Sequence, residues 1–167
     1  RKLGESCVFV LVDSRYSQSG RLFSTEMKRR AQGMRAMTFD STTPETELKD
    51  ALAGAAGCDA VAVAAFSSAS AYRGNAALPG GLAAFVTALT EGPRPVALLS
   101  FGNPYLLRAF PKAAAYLAAF STAPPAEIAM AKALAGEIAI TGRMPVSIPG
   151  FAKIGDGIQT AAAKPVE

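Results

Sequence analysis

Histidine is absent from all 167 residues, which removes the commonest general base and the commonest metal ligand together. Neither a Ser-His-Asp nor a Cys-His site can be built from such a chain. Cysteine is scarce: Cys7 and Cys58 are the only two. They are too few for a structural zinc site without imidazole, and they lack the Cys-x-x-Cys spacing of a redox couple. The favoured reading is a pair of buried thiols packing as small apolar side chains. A disulfide is the alternative, since both fall at the N-terminal ends of strands expected to be neighbours. Long apolar runs are missing too, because Pro79, Gly80 and Gly81 break the longest candidate, so no membrane partner is expected. The net charge is +4, but the basic residues are dispersed apart from Lys28-Arg29-Arg30 and do not interleave with aromatics. Nucleic acid is therefore not an expected partner, and the triplet reads as a solvated helix face. Finally, not one Asp or Glu occurs from Ala60 to Thr90.

What is present is a composition that folds. Half of the residues are hydrophobic and 18% are charged, which excludes disorder, and the length suits one domain with a proper core. Residues 1–167 are accordingly read as a single unit. Arg1 opens the sequence with neither an initiator Met nor a signal peptide, so a preceding segment is expected.

Residues 7–13 form a short apolar run of the kind found in a strand buried on both faces. Further strands are predicted at 35–39, 59–66, 96–100 and 115–120. Helices are predicted at 23–34, from Thr43-Pro44 to about Gly57, at 79–91, at 103–110 (short) and at 124–136. Thr43-Pro44 followed by Glu45 and Glu47 is a clear start: a capping hydroxyl, Pro in the first turn, and carboxylates where the helix dipole favours them. Residues 142–148, carrying Pro145, read as a short edge element. This alternation implies an α/β fold with a doubly wound, mostly parallel sheet sandwiched by helices. In the flavodoxin-like strand order 2-1-3-4-5, a crevice opens between the first and third strands, bordered by loops 14–22 and 67–78. The second loop is longer than most strand-to-helix connections, which marks it as a functional candidate.

The chemistry on offer at that crevice is polar and not acidic. No cofactor is expected, because neither a Gly-x-Gly-x-x-Gly nor a Walker pattern occurs. The hydroxyl-rich loop 13–20 reads as a polar loop capping the next helix. Asp13 and Asp40 end adjacent strands, yet a strand-terminal Asp is ordinarily a turn or helix cap, so neither is assigned chemistry. The long loop supplies Ser67, Ser68, Ser70, Tyr72, Arg73 and Asn75, suited to hydrogen bonding.

Ser100-Phe101-Gly102-Asn103-Pro104-Tyr105, directly after the fourth strand, resembles the characteristic segment of the C-terminal domain of family 3 glycoside hydrolases. Other stretches fall in family order. They are Tyr72-Arg73-Gly74 with Leu78-Pro79, the strand from Tyr116 to Ser121, Ala133 to Glu137, Gly142 to Pro149, and the Gly-rich Lys153 to Gly157. The likeness runs from about the third strand to the end, while the first 60 residues agree in pattern alone.

The resemblance implies a bacterial enzyme whose catalytic nucleophile is an Asp on an N-terminal barrel outside this chain. It also implies that the barrel is the partner of this domain and a carbohydrate the substrate of the whole. In the β-glucosidase-like branch the acid/base Glu comes from the loop after the third strand of this domain, where this chain reads Ala71-Tyr72-Arg73-Gly74. The sequence is thus more similar to the β-N-acetylglucosaminidase-like branch, whose acid/base group is a His and Asp on a barrel loop. The chain alone is then catalytically incomplete. Tyr72, Arg73, Asn103 and Tyr105 are its candidates for the substrate cleft or the domain interface. Gly102-Asn103-Pro104 also has a purely structural sense: a sharp strand exit, a cap and a helix start. Two rival readings stand beside this one. The first is a stand-alone flavodoxin-like module binding FMN or another phosphate ligand near Arg15, Arg21 and Arg73. The second is a pure interaction module. Two cysteines leave cytoplasm and periplasm both open.

Overall fold

The computed structural model describes residues 5–67 and 78–163. Strand β1 (Ser6–Leu11) is buried along its whole length. Its side chains alternate between two apolar layers: Cys7, Phe9 and Leu11 enter one, and Val8, Val10 and Val12 the other. This is the pattern expected of a central strand in a parallel sheet, covered on both faces.

The chain continues through α1 (Arg21–Arg30), β2 (Arg35–Phe39), α2 (Glu45–Ala55), β3 (Ala60–Ser67), α3 (Leu82–Glu91) and β4 (Val96–Gly102). A 3-10 turn (Pro104–Arg108), β5 (Ala115–Ala118) and α4 (Pro124–Leu134) complete the ordered elements. The five strands are parallel throughout and lie in the order β2-β1-β3-β4-β5, as the sequence reading expects. Helices α1 and α4 pack together on one face, where Phe23, Met27, Met130 and Ala131 meet Phe66, Leu99 and Phe101. Helices α2 and α3 cover the other face, where Leu48, Ala51, Phe85 and Val86 meet Phe9, Val61, Val63 and Leu98. Aromatic pairs occupy both layers. Phe66 stacks on Phe101 with ring centroids 4.2 Å apart, and Phe85 stands edge-on to Phe9 at 5.1 Å.

Three expectations are corrected. Helix α3 starts at Leu82, because Pro79-Gly80-Gly81 is used as a turn. Gly80 has φ +60, and a Cβ there would lie 2.8 Å from the Ser41 carbonyl oxygen. The edge element expected at 142–148 does not form a strand. That segment bonds instead to the tail that follows it: Met144 N–H donates to Asp156 O at 2.7 Å and Gly155 N–H to Met144 O at 2.9 Å. Pro145 has no N–H to offer a ladder, and the pairing reduces to isolated bridges at Ile140–Thr160 and Ile148–Ala152.

The third correction concerns the cysteines. Cys7 and Cys58 are joined in a disulfide and are not two thiols, with Cα atoms 5.8 Å apart. Cys7 opens β1 and Cys58 closes the turn before β3. The parallel register of these strands, Ser6 beside Ala60, brings the two within bonding reach.

Candidate functional site

Parallel strands deliver all their C-terminal ends to one edge, and the loops gathered there are where such sheets place ligands or partners. Here that edge carries the loop after β1, the end of β2, Ser67 at the end of β3, and Gly102 to Tyr105 after β4. Residues 68–77, including Tyr72 and Arg73, lie outside the described residues.

The turn after β4 is the best-defined part. Gly102 adopts φ +94, and a Cβ at this position would fall 2.6 Å from the Ser67 carbonyl oxygen, so β3 and β4 can end side by side only with glycine here. Asn103, 5% exposed, caps the 3-10 turn: its Oδ1 accepts the Tyr105 N–H at 2.9 Å. The Ser100 hydroxyl donates to the Asn103 carbonyl oxygen, and the Tyr116 hydroxyl, reaching across from β5, donates to the Pro104 carbonyl oxygen at 2.7 Å. Burial raises the Tyr116 phenol above its ordinary value, against the pull of Ser100 and the neighbouring backbone. Ser100 and Tyr116 therefore hold this turn, and neither was singled out from the sequence. Tyr105 is half-buried, and of the four sequence candidates Asn103 and Tyr105 are the two brought together.

Asp40, at the end of β2, is 3% exposed and wholly engaged. Its carboxylate accepts the Thr42 hydroxyl at 2.7 Å, the Thr42 N–H at 2.9 Å and the Arg15 N–H at 2.7 Å, with Arg15 Nε at 3.3 Å. The Thr42 hydroxyl, then the Arg15 backbone, hold this carboxyl far below the usual carboxylate range. It ties the loop after β1 to the loop after β2, a structural role that matches the cap reading. Asp13 is exposed beside it. An acid that must give or take a proton near neutrality needs a raised pKa, which is the reverse of what Asp40 has.

The start of α1 is occupied from an unexpected direction. Glu127 in the first turn of α4 is 3% exposed, and its two oxygens accept the N–H groups of Gly20 (3.3 Å) and Phe23 (2.7 Å). An open helix N-terminus at this place in the fold is where a phosphate would bind. Here an internal carboxylate already supplies the negative charge, which counts against the FMN or phosphate reading. The loop hydroxyls do not cap α1; they accept within the loop, Ser14 Oγ from Tyr16 N–H and Ser17 Oγ from Ser19 N–H. The sequence shows Glu127 as an acid in the first turn of its own helix. Nothing local points to the helix it caps.

Among the described residues, no group of three or more His, Cys, Asp or Glu side chains is placed to hold a metal ion. No described helix is long and apolar enough to cross a membrane. Beside the edge strand β5 a groove of about 550 Å³ runs between β5, α4 and the tail, lined by Tyr116, Phe120, Met130, Ile138 and Met144 among others.

Residues 11–163 match the family model described as the glycosyl hydrolase family 3 C-terminal domain. Three similar solved structures span two activities. A fungal multi-domain GH3 β-N-acetylglucosaminidase superposes with a TM-score of 0.71 at 16% identity, over 94% of this chain and 17% of that one. The family 3 β-N-acetylglucosaminidase of Paenibacillus sp. str. FPU-7 gives 0.67 at 22% identity, over 83% and 26%. The Listeria innocua β-glucosidase in complex with isofagomine gives 0.69 at 14% identity, over 89% and 23%. The chain thus spans about a quarter of those proteins or less. No curated protein matches its sequence.

Proposed function

Since this chain belongs to the glycosyl hydrolase family 3 C-terminal domain family, we propose that it is the accessory sandwich of a retaining, exo-acting β-glycosidase that removes terminal N-acetyl-β-glucosaminides. The domain packs against a catalytic barrel, which supplies the nucleophilic Asp and the acid/base group. A retaining enzyme needs a nucleophile and an acid/base group set across the scissile bond, and this domain donates neither.

One observation carries the choice of sugar: the stretch from Ala60 to Thr90, which includes the long loop after β3, contains no Asp or Glu. The β-glucosidase-like branch draws its acid from that loop, so a chain without one there depends on an acid/base group from the barrel. The geometry of the remaining edge supports a wall and not a reaction centre. Asp40 is locked as an acceptor, Asn103 is spent on its cap, and the N–H groups at the start of α1 are taken by Glu127. Within this reading Tyr105 and the Gly102–Tyr105 turn face the barrel, and Tyr72 and Arg73 remain candidates for the substrate cleft or the domain interface.

Co-production of the chain with the barrel domain tests the proposal, with the barrel alone and the chain alone as comparisons. The expected result is faster turnover of an aryl N-acetyl-β-glucosaminide than of an aryl β-glucoside, higher with the chain than without it, and no turnover by the chain alone. Hydrolysis by the purified chain alone would refute the accessory role, and a preference for the β-glucoside would refute the assignment of the sugar.

A further inference from the structure

The Cys7–Cys58 bond is built into the core. Cys58 is 0% and Cys7 5% exposed, and both belong to the apolar layer beneath α2 and α3, with Val61, Val96 and Ala55. The bond joins residues 51 apart in sequence, at the edge of the sheet opposite the Gly102–Tyr105 turn. Buried sulfurs with no Cys-x-x-Cys spacing are not placed to exchange with an outside thiol, so this is a staple and not a redox couple. Arg35 on β2 holds Nη2 3.3 Å from Cys58 Sγ, a polar contact at the rim of this otherwise apolar site.

We infer that this protein matures in an oxidising compartment and that, on the glycosidase reading above, the glycan it helps to degrade is met there, outside the cytoplasm. Thiols in a cytosolic protein are kept reduced, whereas exported chains meet a disulfide oxidant while they fold. The step balances with such an oxidant, a dithiol–disulfide exchange protein. While the chain is still folding and the sulfur is accessible, Cys58 thiolate attacks the oxidant's disulfide to give a mixed disulfide and one released oxidant thiolate. Cys7 thiolate then attacks the Cys58 sulfur, closing the bond and expelling the second oxidant thiolate. Two protons and two electrons pass from the chain to the oxidant, which leaves as the dithiol. The substrate that follows is a glycan with terminal β-linked sugars met before any import into the cytosol.

The full-length protein in its own cells provides the test. Cells are quenched in acid, the protein is denatured in the presence of an alkylating reagent so that any buried thiol is exposed to it, and the peptides carrying Cys7 and Cys58 are weighed before and after reduction. A second portion of the same cells, not quenched, is fractionated against a cytosolic marker. The expected result is no adduct on either cysteine before reduction, one on each after it, and loss of the protein from the cytosolic fraction. Adducts on both cysteines before reduction, or co-fractionation with the cytosolic marker, would overturn the inference. Activity on aryl glycosides is assayed separately, so an inactive but disulfide-bonded, exported protein would count against the glycosidase reading while leaving the compartment intact.

Discussion

The Glu127 carboxylate of α4 accepts the Phe23 backbone N–H of α1 at 2.7 Å, although the two residues are 104 apart in sequence. Together with its bond to Gly20, this makes one side chain both a first-turn acid of its own helix and the cap of another. The same face is closed further along by ion pairs: Arg30 of α1 reaches Glu26 at 2.5 Å and Glu137, just beyond α4, at 2.8 Å.

Glu127→Ala would leave two buried N–H groups without an acceptor, and each such group costs about 1–3 kcal/mol. The expected loss in urea unfolding is therefore about 2–6 kcal/mol, while Glu127→Gln, which keeps one oxygen, should lose about half of that. A loss below about 0.5 kcal/mol for the Ala variant would show that water replaces the carboxylate.

Asp40 makes stability depend on pH in a predictable direction. Its folded-state pKa is depressed below the ordinary 3.8 by Thr42 first and by the Arg15 backbone next. A depressed acid binds fewer protons folded than unfolded. Its contribution is therefore complete above the unfolded value and is lost as the pH falls below about 4 toward the folded value. Urea midpoints measured from pH 6 down to pH 2 should fall for the wild type and fall less steeply for Asp40→Asn. Parallel curves would contradict the role.

Gly102→Ala should destabilise by more than about 1 kcal/mol, because alanine pays for the left-handed backbone and its Cβ meets the Ser67 carbonyl. Thermal unfolding would report the loss. If the proposed packing against a barrel holds, the same variant should also weaken that assembly, since it alters the turn that carries Tyr105. A stable variant with unaltered assembly would place the interface elsewhere.

Removing the staple by Cys7→Ala with Cys58→Ala should cost about 2–4 kcal/mol, the usual range for a native disulfide, with the upper end expected for a loop of this length. Unfolding of the oxidised protein with and without reductant gives the same comparison without mutation. Denatured, unreduced protein should contain no titratable thiol.

Much of the architecture was legible in residue order because it rests on local signals. Strand β1 announces itself as an apolar run, Pro44 with Glu45 and Glu47 marks the start of α2, and the regular alternation of strands and helices leaves few topologies open. Asn103 as a cap was legible for the same reason, its partner Tyr105 being two residues away. What misled was whatever depended on a distant neighbour. Residues 142–148 have the composition of an edge strand, but their partner is the tail at 155–156 and not the sheet.

By itself, then, the sequence determined the fold class, the strand order, the absence of imidazole chemistry and the lack of an acid in the loop after β3. Each of these follows from which side chains exist and from the period with which they recur. Tertiary structure alone decided that Glu127 caps α1, that Ser100 and Tyr116 hold the Asn103-Pro104 turn, and that Cys7 and Cys58 are bonded. Those are pairings across strands and layers. A hydrogen bond or a disulfide depends on distances of a few ångströms that only the packed sheet brings about.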